Sequence, residues 1–149
     1  MNNSKRRILL VEDNQEDREL IQLALDELGI PHEMTNVVDG QQAIDYLFGG
    51  GEFASRNKFE NPDLMLLDLK LPKLPGFEVL KLIRANPPTS AIPVVIFTAS
   101  NSQADMQTGY QLGANSIISK PLEPKLFAEC VKLLGAYWLL WNHPPPGIV

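Results

Sequence analysis

The 149-residue sequence predicts an α/β protein: an open, doubly wound sheet of five parallel strands with helices on both faces, a three-layer α/β/α sandwich. Two observations carry that expectation. Short apolar runs alternate with stretches of helical character, and strands that alternate with helices make a parallel sheet. Capping and turn residues stand at the joints, so that five strand–helix units fit into about 125 residues.

The elements follow in order. RILLVE (7–12) is the first strand. Asn14, with Asp17 three places on, has capping-box spacing and opens the first helix, which Gly29 closes. HEMTNV (32–37) has the weakest apolar pattern, which marks the second strand as an edge, and Asp39 with Gln42 caps the second helix. DLMLLD (63–68) is the third strand, and the chain then breaks over the prolines and glycine of LKLPKLPG. PVVIFT (93–98) is the fourth, with Ser100 and Gln103 as the predicted cap of the next helix and Gly113 as its stop. NSIISK (115–120) is the fifth, and Pro124 suits the first turn of the last helix.

One domain accounts for a chain of this length, with a core over residues 6–134. Two segments exceed the plan. Residues 48–62 read as a loop insertion on the surface, and 136–149 form an aromatic C-terminal extension. The GGGEF in that loop is one letter from the GGDEF signature of diguanylate cyclases, but Gly51 stands in place of its Asp and a cyclase would use up the whole chain.

Thirteen basic and 18 acidic residues give a net charge of -5, which disfavours nucleic-acid binding by charge. The apolar run after MNNSKRR is too short for a signal peptide, and no stretch reaches membrane-spanning length; a soluble, cytoplasmic protein is expected. Cys130 has no partner for an internal disulfide and sits on the apolar stripe of the last helix, the place of a buried core thiol.

In a parallel sheet the C-terminal ends of the strands share one edge, and ligands bind there. The first strand ends in Glu12 and Asp13, the third in Asp68, the fourth in Thr98 and the fifth in Lys120. In the 2-1-3-4-5 order of flavodoxin-like folds the first and third strands are neighbours, which sets Asp13 opposite Asp68. Two carboxylates about 5 Å apart repel by roughly 3 kcal/mol at an effective dielectric near 20, so the pair needs a counter-charge. Mg²⁺ is an economical one, because it accepts one or two carboxylates, a backbone carbonyl and water and leaves room for a phosphate. Lys120 and the Thr98 hydroxyl complete a phosphoryl pocket.

At these spacings LLVEDN, DLMLLDLKLP with its following glycine, FTAS and SKP resemble the receiver domain of two-component response regulators over residues 6–134. The resemblance implies a phosphorylation switch in which Asp68 takes a phosphoryl group from a phosphohistidine of a sensor histidine kinase. It implies Mg²⁺ held by Asp13, Asp68 and the backbone carbonyl of Lys70, with Glu12 acting through water. It implies Lys120, Thr98 and the backbone amide of Ala99 on the phosphoryl oxygens, and a cis Lys120–Pro121 peptide. Such a protein is not an enzyme beyond catalysing its own phosphorylation and dephosphorylation. No output domain follows residue 134, and the loop, DLKLP and the aromatic ending are similar to the stand-alone regulators of cyanobacterial phytochrome kinases.

One departure stands out. Where the family often carries Tyr or Phe, three residues before the lysine, this chain has Ile117, whose β-branched side chain reads as strand packing. Two other functions are open on the residues alone: a phosphorylation-independent dimeric interaction module, and an aspartyl-phosphate phosphatase, disfavoured because Lys70 stands where that chemistry wants an acid. The last helix has Leu126, Phe127, Cys130, Val131 and Leu134 to cover the sheet, and then adds Tyr137, Trp138, Leu139, Leu140 and Trp141. This surplus predicts a homodimer through the C-terminal helix and Trp138 and Trp141, with folding back over its own domain as the alternative. The segment lacks the basic face of a membrane-surface helix.

Overall fold

A computed structural model describes residues 5–57 and 60–146. Strands β1 (Arg6–Val11), β2 (His32–Val37), β3 (Leu64–Leu67), β4 (Val94–Thr98) and β5 (Ser116–Ser119) form one sheet in the order β2-β1-β3-β4-β5. Every pairing is parallel, and β1 meets β3 with Val11 opposite Leu67. The register brings Asp13 and Asp68, just beyond those two strand ends, to the same edge. The second strand is at an edge, as its weak apolar pattern predicts.

Alternation along the strands builds two cores. Leu9, Val11, Met65 and Leu67 face α2 (Gly40–Phe48) and α3 (Gly76–Ala85), while Ile8, Leu10, Leu64 and Leu66 face α1 (Gln15–Glu27) and α5 (Pro124–Ala136). The helices answer with their own period: Ile21, Ala24 and Leu25 on α1 and Phe127, Val131 and Leu134 on α5 are buried. Each fully buried Leu or Ile contributes about 1.5–3 kcal/mol, so the central strands hold the frame that the edge loops hang from.

Caps fall mostly where the spacing predicts. Asn14 accepts from the Asp17 amide, Asp39 accepts from the Gln42 amide, Gly29 and Gly113 have positive φ after α1 and α4 (Gln103–Gln111), and Pro124 opens α5. The fourth helix differs. Ser102, not Ser100, is its N-cap, bonded to the Asp105 amide, because the chain spends two more residues leaving β4 than the spacing predicts. Ser100 instead gives its hydroxyl to the Asp105 carboxylate at 2.6 Å.

Three further expectations change. Lys120–Pro121 is trans, the form an ordinary X–Pro bond favours, and no described peptide is cis. Cys130 is only half-buried, at the margin of the α1/α5 core beside Trp138. The loop insertion is structured in part: a 3₁₀ turn at Gly51–Phe53 sets the Phe53 ring edge-on to Tyr46, and the Arg56 guanidinium lies 3.9 Å from that ring's centre.

Beyond α5 the chain makes a π-helical turn, Tyr137–Trp141. It turns Leu139 inward, where the residue is buried and its carbonyl accepts from Arg6 Nε at 3.1 Å. Trp138 packs against the α1/α5 core, but Trp141 is 73% exposed. The two tryptophans therefore do different work, and the tail folds back over its own domain in part. Among the described residues no helix is long and apolar enough to cross a membrane.

Candidate functional site

Each side chain of the acidic pocket is delivered by a strand end. Glu12 continues β1, its amide bonded to Val37 O, and Asp68 continues β3, its amide bonded to Val11 O. The turn after Asp68 is close-packed: a Cβ on Gly76 would lie 2.3 Å from the Asp68 carbonyl oxygen, so only glycine lets the start of α3 sit against this loop. Lys120 follows β5 and is held through its amide to Thr98 O at 2.6 Å.

The carboxylates of Glu12, Asp13 and Asp68 each place an oxygen within 4.8 Å of the others. Glu12 and Asp68 are buried and Asp13 is exposed. Hard oxygen donors at this spacing, open to solvent on one side, fit a divalent cation that keeps some of its water. Lys120 Nζ lies 2.6 Å from Glu12 Oε1, 2.8 Å from Asp17 Oδ2 and 3.2 Å from Asp68 Oδ2, and its side chain is 9% exposed. The other Asp68 oxygen, Oδ1, accepts from the Leu69 amide at 2.7 Å.

Burial lifts the Glu12 carboxyl to about 7, and the Asp68 charge adds to the lift while the Lys120 hydrogen bond opposes it. For Lys120 burial works against the ammonium, but the bonds to Asp17 and Glu12 and the Asp68 charge outweigh it and hold the group above its ordinary value. The pocket therefore keeps its cation charged at neutral pH.

Thr98 is buried at the end of β4, and its hydroxyl accepts from the Ser100 amide at 3.3 Å. Ala99 is exposed at the head of the same loop, and Lys70 is exposed two residues past Asp68. Ser119 Oγ donates to Ser100 O at 2.9 Å, so the loop after Thr98 is bonded both to β5 and, through Ser100 and Asp105, to the first turn of α4. Ile117 packs in the α2/α3 core against Gly109, where an added Cβ would lie 2.6 Å from Ile117 Cδ1. The Ile117 amide, on the open edge of β5, donates to the Tyr110 hydroxyl of α4 at 3.2 Å.

The structure thus brings Glu12, Asp13, Asp68 and Lys120 together as their strand ends predict. Sequence reasoning assigned Asp17 only to the α1 cap and passed over the Ser100, Asp105 and Ser119 contacts. No spacing rule signals Asp17, because Asp13 lies before the Asn14 cap and helical periodicity does not relate the two.

Comparison with known proteins agrees with this geometry. The model of the response regulator receiver domain matches residues 8–132. The chain is 40% identical over 141 residues to the probable methanogenesis regulatory protein FilR2 of Methanothrix harundinacea, covering 93% of this chain and 86% of that protein. It is 38% identical over 132 residues to the response regulator Rcp1 of Synechocystis, covering 89% and 88%. The crystal structure of the phosphorylated cyanobacterial phytochrome response regulator RcpA superposes with a TM-score of 0.90 at 39% identity, over 96% of this chain and all of that one. A structure of Rcp1 is known in its Mn²⁺-bound form, with a TM-score of 0.89 at 36% identity over 95% and 99% of the two chains. The flavodoxin-like fold, the ordered strand-end residues and the matched span together make this chain a member of the response-regulator receiver family, a phosphorylation-based signalling protein.

Proposed function

We propose that Asp68 is the phosphoacceptor of this regulator and that its donor is the phosphohistidine of a phytochrome-type sensor histidine kinase. The observation that carries the reading is a buried carboxylate, Asp68, at the open edge of the sheet, flanked by the two acids Glu12 and Asp13 and faced by the Lys120 ammonium. In the transfer an Asp68 carboxylate oxygen forms the new O–P bond, the N–P bond breaks, and the histidine of the kinase leaves as imidazole. The Leu69 amide fixes Oδ1, which leaves Oδ2 as the oxygen turned toward Lys120. Asp13, Asp68 and the Lys70 carbonyl would hold Mg²⁺, with Glu12 acting through water, and the ion would offset the charge of the acids and of the phosphoryl oxygens.

Lys120, the Thr98 hydroxyl and the Ala99 amide receive the phosphoryl oxygens. Movement of Thr98 then pulls on Ser100, which is bonded toward α4 and β5, so the signal leaves by hydrogen bonds and not by an aromatic ring at position 117. The protein acts in the cytoplasm as one receiver domain, catalyses only its own phosphorylation and dephosphorylation, and binds no nucleic acid.

A homodimer through α5 belongs to the same proposal. Leu126, Leu133, Tyr137, Leu140 and Trp141 are all more than half exposed, and they lie along one helix and its π-helical end. Pairing that face in a two-fold dimer takes these five apolar side chains of each partner out of water together.

The test is transfer from a phytochrome-type kinase that carries labelled phosphate on its histidine. The label should pass to the wild type within minutes and stay on the kinase when Asp68→Asn is supplied. Label that reaches the variant equally fast overturns the assignment.

A further inference from the structure

We propose that Asp17 is a positioning residue for Lys120: it draws the ammonium to the rim of the acidic pocket and so keeps Asp68 and its neighbours open to a divalent cation. The inference rests on the phosphoacceptor reading of Asp68 and adds a residue to it.

A lysine ammonium has three N–H donors and directs them to separate acceptors. Here the acceptors are Glu12, Asp17 and Asp68, and the longest contact, 3.2 Å, is the one to Asp68. Asp17 differs from the other two. It comes from α1, not from a strand end, and it is not one of the three carboxylates that cluster within 4.8 Å. Its backbone is fixed by the cap, with its amide bonded to Asn14 Oδ1 at 2.9 Å, so the carboxylate holds a set place on the first turn of the helix. Lys120 is thereby shared between an outer acid and two inner ones.

Without the Asp17 charge the ammonium keeps only its inner partners, Glu12 and Asp68, and the N–H freed from Asp17 draws it further in toward them. A cation entering the pocket must then displace a lysine from the carboxylates it needs. With Asp17 present the lysine has a partner that the cation does not claim.

Calorimetric titration of the full chain with Mg²⁺ tests this, using Asp17→Asn, Lys120→Ala, the double variant and Glu16→Gln. Glu16 is the neighbouring exposed acid of the same helical turn, so its variant removes an equal charge without the contact. We expect Asp17→Asn to weaken Mg²⁺ binding about five-fold, and the same change in the Lys120→Ala background to cost less than about two-fold, the signature of a residue that acts through another. Glu16→Gln should cost less than about two-fold by screened charge alone. Asp17→Glu should recover most of the loss, and circular dichroism should show every variant folded. The proposal is overturned if Asp17→Asn binds Mg²⁺ like the wild type, if its loss is the same without Lys120, or if Glu16→Gln matches it. A wild type that binds no Mg²⁺ brings down the phosphoacceptor reading as well; a flat Asp17 arm with a binding wild type brings down this inference alone.

Discussion

At the C-terminal edge of the sheet three acids, Glu12, Asp17 and Asp68, are packed within hydrogen-bonding reach of Lys120 Nζ, largely out of water; along the outer side of α5, Leu133, Tyr137, Leu140 and Trp141 stand in it. The pocket gives up hydration of charged groups, and the helix face gives up burial of apolar ones. In each place the isolated chain forgoes stability that ordinary residues would supply. The difference lies in what relieves each. The pocket is internally satisfied, since the ammonium spends its donors on three carboxylates and no buried side-chain polar atom among the described residues lacks a partner. The helix face has no such internal answer; in the proposed dimer a second surface relieves it. The pocket is therefore a place to change charge, and the face a place to change assembly.

The comparison is broken most sharply at Asp13. Its carboxylate is the exposed member of the cluster, so Asp13→Ala should leave the fold intact. We expect Mg²⁺ affinity and phosphorylation by acetyl phosphate to fall by about a hundred-fold, the upper end of the loss seen when a metal site's supporting groups are removed. Calorimetry and intact mass read both, and undiminished phosphorylation in excess chelator would contradict the account.

On the other surface the two tryptophans separate folding from assembly. Changing Tyr137 and Trp141 together to Ser should weaken the dimer by about thirty-fold or more in sedimentation, as the loss of central aromatic contacts does, with little change in the unfolding midpoint. Trp138→Ala should do the reverse, lowering stability by roughly 3 kcal/mol through the core it covers. A wild type that sediments as a monomer at high micromolar concentration, with and without acetyl phosphate, removes the dimer.

A smaller effect comes from pH. Burial holds Glu12 at about 7, above its value of 4.5 in an unfolded chain, so the folded state keeps a proton there that the unfolded state has lost. More protons on the folded state mean that stability falls as pH rises through that window, by on the order of 1–3 kcal/mol between about pH 4.5 and 7. Glu12→Gln should flatten this slope in urea titrations. An unchanged slope shows that the carboxyl is already ionised across the window.

The pocket was legible because its residues end strands, and in a parallel sheet a strand end is also an address: Glu12, Asp13, Asp68, Thr98 and Lys120 needed only the strand order to be placed. Asp17 was not legible as a partner of Lys120, because a contact between residues 103 positions apart depends on how α1 is set against β5. The cap of α4 was misplaced for a local reason, since Ser100 and Ser102 both carry hydroxyls in a loop whose length the pattern leaves open. The surplus of aromatic residues after α5 was legible as a surplus, but which of Trp138 and Trp141 turns inward is decided by a π-helical turn that no spacing rule announces.

The central claim is that Asp68 is the atom-level target of the switch, and one measurement bears on it directly: intact mass of wild type and Asp68→Asn after incubation with acetyl phosphate and Mg²⁺. The account predicts one added phosphoryl group on the wild type, labile in base as an acyl phosphate is, and none on the folded variant. A phosphoryl group gained by Asp68→Asn at the wild-type rate, or none gained by the wild type, contradicts it.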